Sequence, residues 1–306
     1  MMVLQLIAGI VLDLWLGEVH RYHPLAGFGG LANRVDHAFK DQSPWRNKLT
    51  GLFSVIFLVG TLTLLSWGLI QIPVVGVIFS VIFFYLCLGA KSLSEHANKV
   101  YQLLLTKDLT SARMAVGLMV SRDTASMNGN QVSLACIESV LENGNDAVFA
   151  TIFWFTLLGA PGAVAYRLVN TLDAMWGYRT ARYQQFGWAA ARLDDLLNWA
   201  PARLCALTYA LQGEAGSALN CWQQQAPAWE SPNAGPVMAT GAGALNIQLG
   251  GVGIYHGQQK FRPPLGKGCL PVAKDIQRAI KLVQNGVIVW VLAITMIFIT
   301  GTLIHA

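Results

Sequence analysis

An all-α polytopic membrane protein is the fold class the sequence predicts, and two observations carry that reading. The chain has 306 residues, 54% hydrophobic and only 12% charged, with a mean hydropathy of +0.45. A soluble domain carries about 25% charged residues. The apolar residues also gather into uncharged runs of membrane-crossing length. The whole chain, 1–306, is read as a single integral membrane domain.

The first span is 1–16, apolar except for Gln5 and Asp13. It opens without a basic n-region, so a span rather than a cleaved signal peptide is expected. Lys48 and Lys91 bracket an uncharged run, 49–90. One crossing takes about 20 residues, so the run is read as two spans, 51–70 and 72–90, turning at Gln71-Ile72-Pro73. Residues 91–146 place leucines and methionines at helical period and read as cytoplasmic or interfacial helices. The next uncharged stretch, Ala147–Tyr166, is interrupted by Gly159-Ala160-Pro161-Gly162, which predicts a broken or re-entrant segment over 147–169. Residues 170–285 read as further cytoplasmic helices. Within them the small-residue stretch Ser231–Gly253 either packs closely on another helix or offers backbone amides to phosphate. The run 286–304 is the last span.

Basic residues set the expected sidedness. Arg21, Arg34, Lys40, Arg46 and Lys48 follow the first span, and Lys91, Lys99, Lys107 and Arg113 follow the third. The positive-inside rule places both segments in the cytoplasm and both termini outside. A single crossing at Ala147–Tyr166 would export the arginines after it. Lys260, Arg262, Lys267, Lys274, Arg278 and Lys281, before the last span, call for the cytoplasm. A hairpin turning at Gly159–Gly162 satisfies both, since broken backbone at membrane depth is tolerated when buried in protein. The alternative is a full crossing that returns through Leu196–Gln212, a segment weakened as a span by Arg203 and Pro201.

The net charge of +5 does not imply nucleic-acid binding, because cytoplasmic loops of membrane proteins are basic anyway. The five cysteines form no CxxC pair, which argues against a disulfide framework or a Cys-rich metal site. There is no Walker A motif: Phe261 stands where the first glycine before Gly266-Lys267 is required. GxSxG and HExxH are also absent.

Polar groups beside apolar segments are costly to bury and therefore mark candidate sites. Four clusters stand out. In Leu12–Pro24, Asp13 is followed by Glu18, His20 and His23; a metal site would need a third ligand at metal-like spacing, so a turn with a carboxylate and a substrate-facing His23 is expected. Ser121-Arg122-Asp123-Thr124 brings an Arg-Asp pair into a loop, where a solvated turn or helix cap is the plain alternative. Cys136–Val148 carries Glu138 and Glu142 four apart on one helical face, with Asp146 against the apolar run. Carboxylates so placed suit Mg²⁺, which is bound by one or two of them plus substrate phosphates; the alternative is an exposed acidic face. In the fourth, Arg167–Leu204, Arg167, Asn170 and Asp173 share a helical face. Arg179, Arg182 and Arg192 are suited to clamping phosphates, or to pairing structurally with Asp194 and Asp195.

In these clusters the sequence resembles the adenosylcobinamide-phosphate synthase family of cobalamin biosynthesis, the CobD/CbiB family. "LDLWLGEVHRYHPLAGFG" is similar to its opening motif. "SRDT", "IESVLENGNDAVFATIFW", "GAPGAVAYRLVNTLDAMWGYR", "RYQQFGWAAARLDDLLNWAPARL" and "SPNAGPVMATGAGAL" resemble its later blocks in the same order, from about residue 10 to about 270. Many members read Gly-Asp-Pro where this chain has Gly17-Glu18-Val19, with one residue fewer before His23-Pro24.

The resemblance implies ATP-dependent amide ligation of adenosylcobyric acid with (R)-1-aminopropan-2-yl phosphate, or ethanolamine phosphate, in the bacterial cytoplasmic (inner) membrane. ATP and Mg²⁺ would be co-substrate and metal, and the corrinoid a substrate. Under it, Arg122, Arg167, Arg179, Arg182 and Arg192 would bind phosphates, with Asn170, Asp194, Asp195 and Asn233 beside them. Glu138, Glu142, Asp146 and Asp173 would hold Mg²⁺ (Glu142 and Asp146 as its ligands) or take the amine's proton. His23 and Tyr178 would contact the corrin or acyl group, and Trp188 would pack on the macrocycle. A distant AmpE-type membrane sensor and a small-molecule transporter are the competing readings.

Overall fold

The computed structural model describes residues 1–19, 21–39, 43–177, 183–255 and 257–305. Four helical runs are long and apolar enough to cross a membrane: Pro44–Ile70, Val75–Leu105, Gly129–Trp176 and Ala273–Ile304; Met2–Leu16 is a shorter apolar helix. The protein is thus helical and polytopic. The contacts divide the chain into two compact units, 1–89 with 150–198, and 90–149 with 199–306.

The first unit contains α1 (Met2–Leu16), α2 (Pro24–Ala38), α3 (Pro44–Ile70), α4 (Val75–Cys87), α8 (Ala150–Trp176), α9 (Tyr183–Phe186) and the start of α10 (Trp188–Leu211). Gly9 on α1 admits the ring of Phe84, which stacks on Phe155 at 4.2 Å between centroids. The turn between α3 and α4 falls at Gln71–Val74, with Val74 at φ 66. Phe28, Leu58, Leu168, Leu172, Trp176 and Phe186 form the apolar core where α2, α3, α8 and α9 meet.

α8 is broken where Gly159-Ala160-Pro161-Gly162 interrupts the apolar run: Gly159 sits at φ 67, ψ −160, a conformation that glycine alone adopts cheaply. In a straight helix, residues eight apart lie about 12 Å apart. Here a Cβ on Gly162 would stand 2.6 Å from the Trp154 carbonyl oxygen, so the chain doubles back at the break.

The second unit contains α5 (Ala90–Leu105), α6 (Leu109–Gly117), α7 (Gly129–Asn143), α11 (Ala215–Gln225), α12 (Ala234–Leu245), strands β1 (Gln248–Tyr255) and β2 (Gln258–Gly266), and α13 (Ala273–His305). α7 starts with a capping box between Asn128 and Gln131. It is buried on nearly every side and passes into a π-helical stretch, Gly144–Phe149. α12 is buried along its whole length, and its small residues are the reason: Gly241 lies against the Leu141 side chain and Gly243 against the backbone of Ala218. For residues 234–245, the close-packing alternative read from the sequence therefore holds.

The antiparallel hairpin β1–β2 corrects the purely helical reading of 170–285. It carries a bulge between Leu249 and Gly251, where Gly250 and Gly251 take positive φ.

Candidate functional site

In the second unit a cleft of about 360 Å³ opens between the start of the 121–124 loop, α7, the Trp229–Ser231 segment and the hairpin. Three cations line it, Arg122, Lys260 and Arg262, together with the acids Glu138, Glu142 and Glu230. Trp229, Tyr255 and Phe261 supply aromatic surface.

Glu138 organises the floor of this cleft. It is buried, and its carboxylate accepts from Arg122, from Arg262 Nη1 at 2.6 Å and from the Gly250 backbone N–H at 2.9 Å. Arg262 also donates to the Gly250 carbonyl at 3.3 Å, and its guanidinium lies 5.9 Å from the Trp229 ring. An isolated carboxylate would not tolerate such burial; two guanidiniums make it possible. Both of its oxygens are thus engaged, by three donors, and Glu138 anchors the loop, the helix and the hairpin around the cleft.

Glu142, one helical turn on, lines the cleft. Asp146 does not. The helix between them loosens into the π stretch, and Asp146 accepts from Asn145 at 2.9 Å. Among the described residues no three His, Cys, Asp or Glu side chains gather as a metal-binding group.

At the mouth, Lys260 pairs with Glu230 at 2.8 Å, both well exposed. The Ser121–Thr124 loop holds the far end of the hairpin: the Asp123 N–H donates to the Ile254 carbonyl and its carboxylate accepts from the Gly257 N–H, each at 2.8 Å. Asn233 stands at the N-terminus of α12 and accepts from Arg203 at 2.7 Å.

A separate polar chain runs through the first unit. Arg167 donates to Asn170 at 2.9 Å, Asn170 to Asp194 at 3.1 Å, Asn198 to the other Asp194 oxygen at 3.0 Å, and Tyr166 to Asn198 at 3.0 Å. Burial holds the Asp194 carboxyl above the usual carboxylate range, against the two amides that favour its charged form. His23 caps α2, its Nδ1 accepting the Leu25 N–H at 3.2 Å. Burial lowers its pKa from 6.5; Glu18 opposes that shift and Arg167 adds to it. Arg192 and Asp195 form an exposed pair at 3.8 Å. Asp173 accepts the Gly177 N–H through its carbonyl at 2.7 Å. Trp188, expected to pack on the macrocycle, remains exposed, and the Lys48 Nζ lies 3.9 Å from its ring centroid.

His20, Tyr178, Arg179 and Arg182 lie outside the described residues. Sequence reasoning gave no site role to Arg262, Lys260, Glu230, Trp229, Tyr255 or Phe261. The available signal was the basic, aromatic run Gln259-Lys260-Phe261-Arg262, read there only for sidedness.

Residues 6–283 match the family model described as CobD/Cbib protein. The chain is 54% identical to a protein of Chromobacterium violaceum over 92% of each chain. It is 53% identical to one of Stutzerimonas stutzeri, over 95% of this chain and 96% of that one. A third, from Halalkalibacterium halodurans, is 33% identical over 99% and 98%. All three carry the name Cobalamin biosynthesis protein CobD. No solved structure matches.

Proposed function

The chain belongs to the CobD/Cbib family, and from that premise we propose that it is the ATP-dependent ligase that joins adenosylcobyric acid to (R)-1-aminopropan-2-yl phosphate, or ethanolamine phosphate, in cobalamin biosynthesis. The observation that carries this reading is the two-signed lining of the cleft. Lys260, Arg262 and Arg122 stand with Glu142 and Glu230 around about 360 Å³. An amino-alcohol phosphate is a zwitterion with an anionic end and an ammonium end, and the cleft offers partners to both. Its volume falls at the small end of ligand pockets, about 300–1,000 Å³, which suits this reactant and leaves the macrocycle outside. There the exposed ring of Phe261 offers a flat apolar surface.

A carboxylate is a poor acyl donor. In the proposed sequence an oxygen of the acid attacks the γ-phosphorus of ATP, releasing ADP and leaving an acyl phosphate. The amine nitrogen then attacks the acyl carbon, the C–O bond to phosphate breaks, and the ammonium proton passes to a base. Glu142 is the carboxylate on the cleft wall suited to that proton. Lys260 and Arg262 would hold phosphate charge through the transfer. Mg²⁺ arriving with ATP would neutralise phosphate oxygens, which with water would fill most of its coordination sphere and leave Glu142 to the amine's proton.

Because ATP is cytosolic, the cleft would face the cytoplasm from the bacterial inner membrane, consistent with the basic segment 260–281. Purified protein supplied with adenosylcobyric acid, ATP, Mg²⁺ and aminopropanol phosphate should yield the amide with ADP and phosphate. Binding of these compounds without turnover would instead indicate a sensor or carrier.

A further inference from the structure

Arg122 stands on the wall of two cavities at once: the cleft above, and a second pocket of about 360 Å³. We infer that this second pocket receives the carboxylate-bearing arm of the acid reactant, with Arg122 as the anchor of the carboxylate. The inference rests on the ligase reading and deepens it by placing the second reactant.

Charge decides the ligand class. Among the described residues lining the pocket, Arg122 is the one cation. A polyphosphate calls for several positive groups, whereas one guanidinium matches one carboxylate. The lining acid, Asp123, is turned to the Gly257 N–H at 2.8 Å. Met127, Leu134, Val252 and Leu270 make much of the remaining wall apolar, which suits an uncharged arm. Arg122 also retains capacity for a ligand. Among the described residues its hydrogen-bond partner is Glu138, reached through Nη2, and a guanidinium has five N–H donors.

Backbone geometry on the β1 side leaves room for close approach. Gly250 and Gly251 sit at the bulge with φ 86 and 82, and a Cβ placed on Gly251 would meet nothing within 4 Å. No side chain from these two residues stands between the strand backbone and an arm entering the pocket. Glu142 and Lys260 line the cleft assigned to the amine, and Arg122 lines both cavities, so the acid arm and the amine would be held beside one another.

Val252 lines this pocket with its side chain 58% exposed, so Val252→Trp fills the space without disturbing a packed core. Asn130→Trp does the same from the exposed side of α7. Each variant should raise KM for adenosylcobyric acid about tenfold or more while leaving KM for the amino-alcohol phosphate within about twofold. Equilibrium binding of the coloured corrinoid to the detergent-solubilised protein should weaken in parallel. If wild-type protein ligates and both variants keep its KM for the acid, the pocket assignment fails while the ligase reading stands. Equal rises in both KM values would overturn it as well. If wild-type protein forms no amide yet binds the corrinoid acid, and both variants lose that binding, the pocket stands while the ligase reading fails.

Discussion

Glu138 on α7 accepts from Arg262 on β2 at 2.6 Å, across 124 residues of sequence, with both side chains buried. The same carboxylate takes Arg122 and the Gly250 amide. One acid therefore fixes a loop, a helix and a hairpin as the frame of the cleft. Removing it strands two largely buried guanidiniums without their shared carboxylate. Breaking one side of a buried ionic cluster costs about 3–5 kcal/mol. Glu138→Gln should accordingly lower the thermal midpoint of the detergent-solubilised protein sharply and reduce its folded yield. An unchanged midpoint would remove Glu138 from its anchoring role.

His23 supplies a pH dependence of known sign. Its folded-state pKa lies below 6.5, with burial as the main cause. Between those two values the unfolded chain binds more protons than the folded one. Stability is therefore complete above about pH 6.5, declines as pH falls toward the folded pKa, and levels off below it. Asparagine can keep the cap through its side-chain oxygen without titrating there. Melting temperatures measured down a pH series should show a smaller decline for His23→Asn than for wild type. Parallel curves would contradict the depressed pKa.

Both the spans and the break at Gly159 were legible in the sequence, because each depends on local signals: uncharged runs of crossing length, and Gly-Ala-Pro-Gly inside one of them. The small residues of α12 were legible as a packing surface for the same reason. The hairpin was not. Its strands lack clean alternation, since Gly250, Gly251 and Gly253 interrupt one and Pro263-Pro264 the other. Nor could spacing reveal what Glu138 does. Its partners lie 16 and 124 residues away, and no periodicity encodes such a pairing. Identified from sequence as a polar residue beside a membrane segment, Glu138 looked like a catalytic acid; only the fold supplies its guanidiniums.

Cys269 offers a test of sidedness without any engineered label. It is exposed, whereas Cys87, Cys136, Cys205 and Cys221 are buried. It also follows the basic hairpin and precedes α13, in the segment expected to face the cytoplasm. A membrane-impermeant maleimide should label the native protein in inside-out vesicles and leave it unlabelled in right-side-out vesicles. Cys269→Ser should abolish the signal. Labelling from the outer face of intact cells would invert the proposed orientation, and with it the access of the cleft to ATP.

Glu142 and Asp146 separate geometry from sequence spacing most directly. Four residues apart, they would share a face on an uninterrupted α-helix and act together on one ion. Asp146 falls in the π-helical stretch Gly144–Phe149 and is not among the residues lining the cleft, whereas Glu142 is. If Glu142 takes the proton of the attacking amine, Glu142→Gln should lower kcat for ligation by about 100-fold or more. Asp146→Asn keeps the size of the side chain and its bond to Asn145, so kcat should stay within about threefold, a change too small for loss of a general base. Steady-state kinetics of the two purified variants, with folding checked by thermal midpoint, distinguish the cases. A loss at Asp146 equal to that at Glu142 would restore the paired site that the spacing suggests and displace the one built on the cleft.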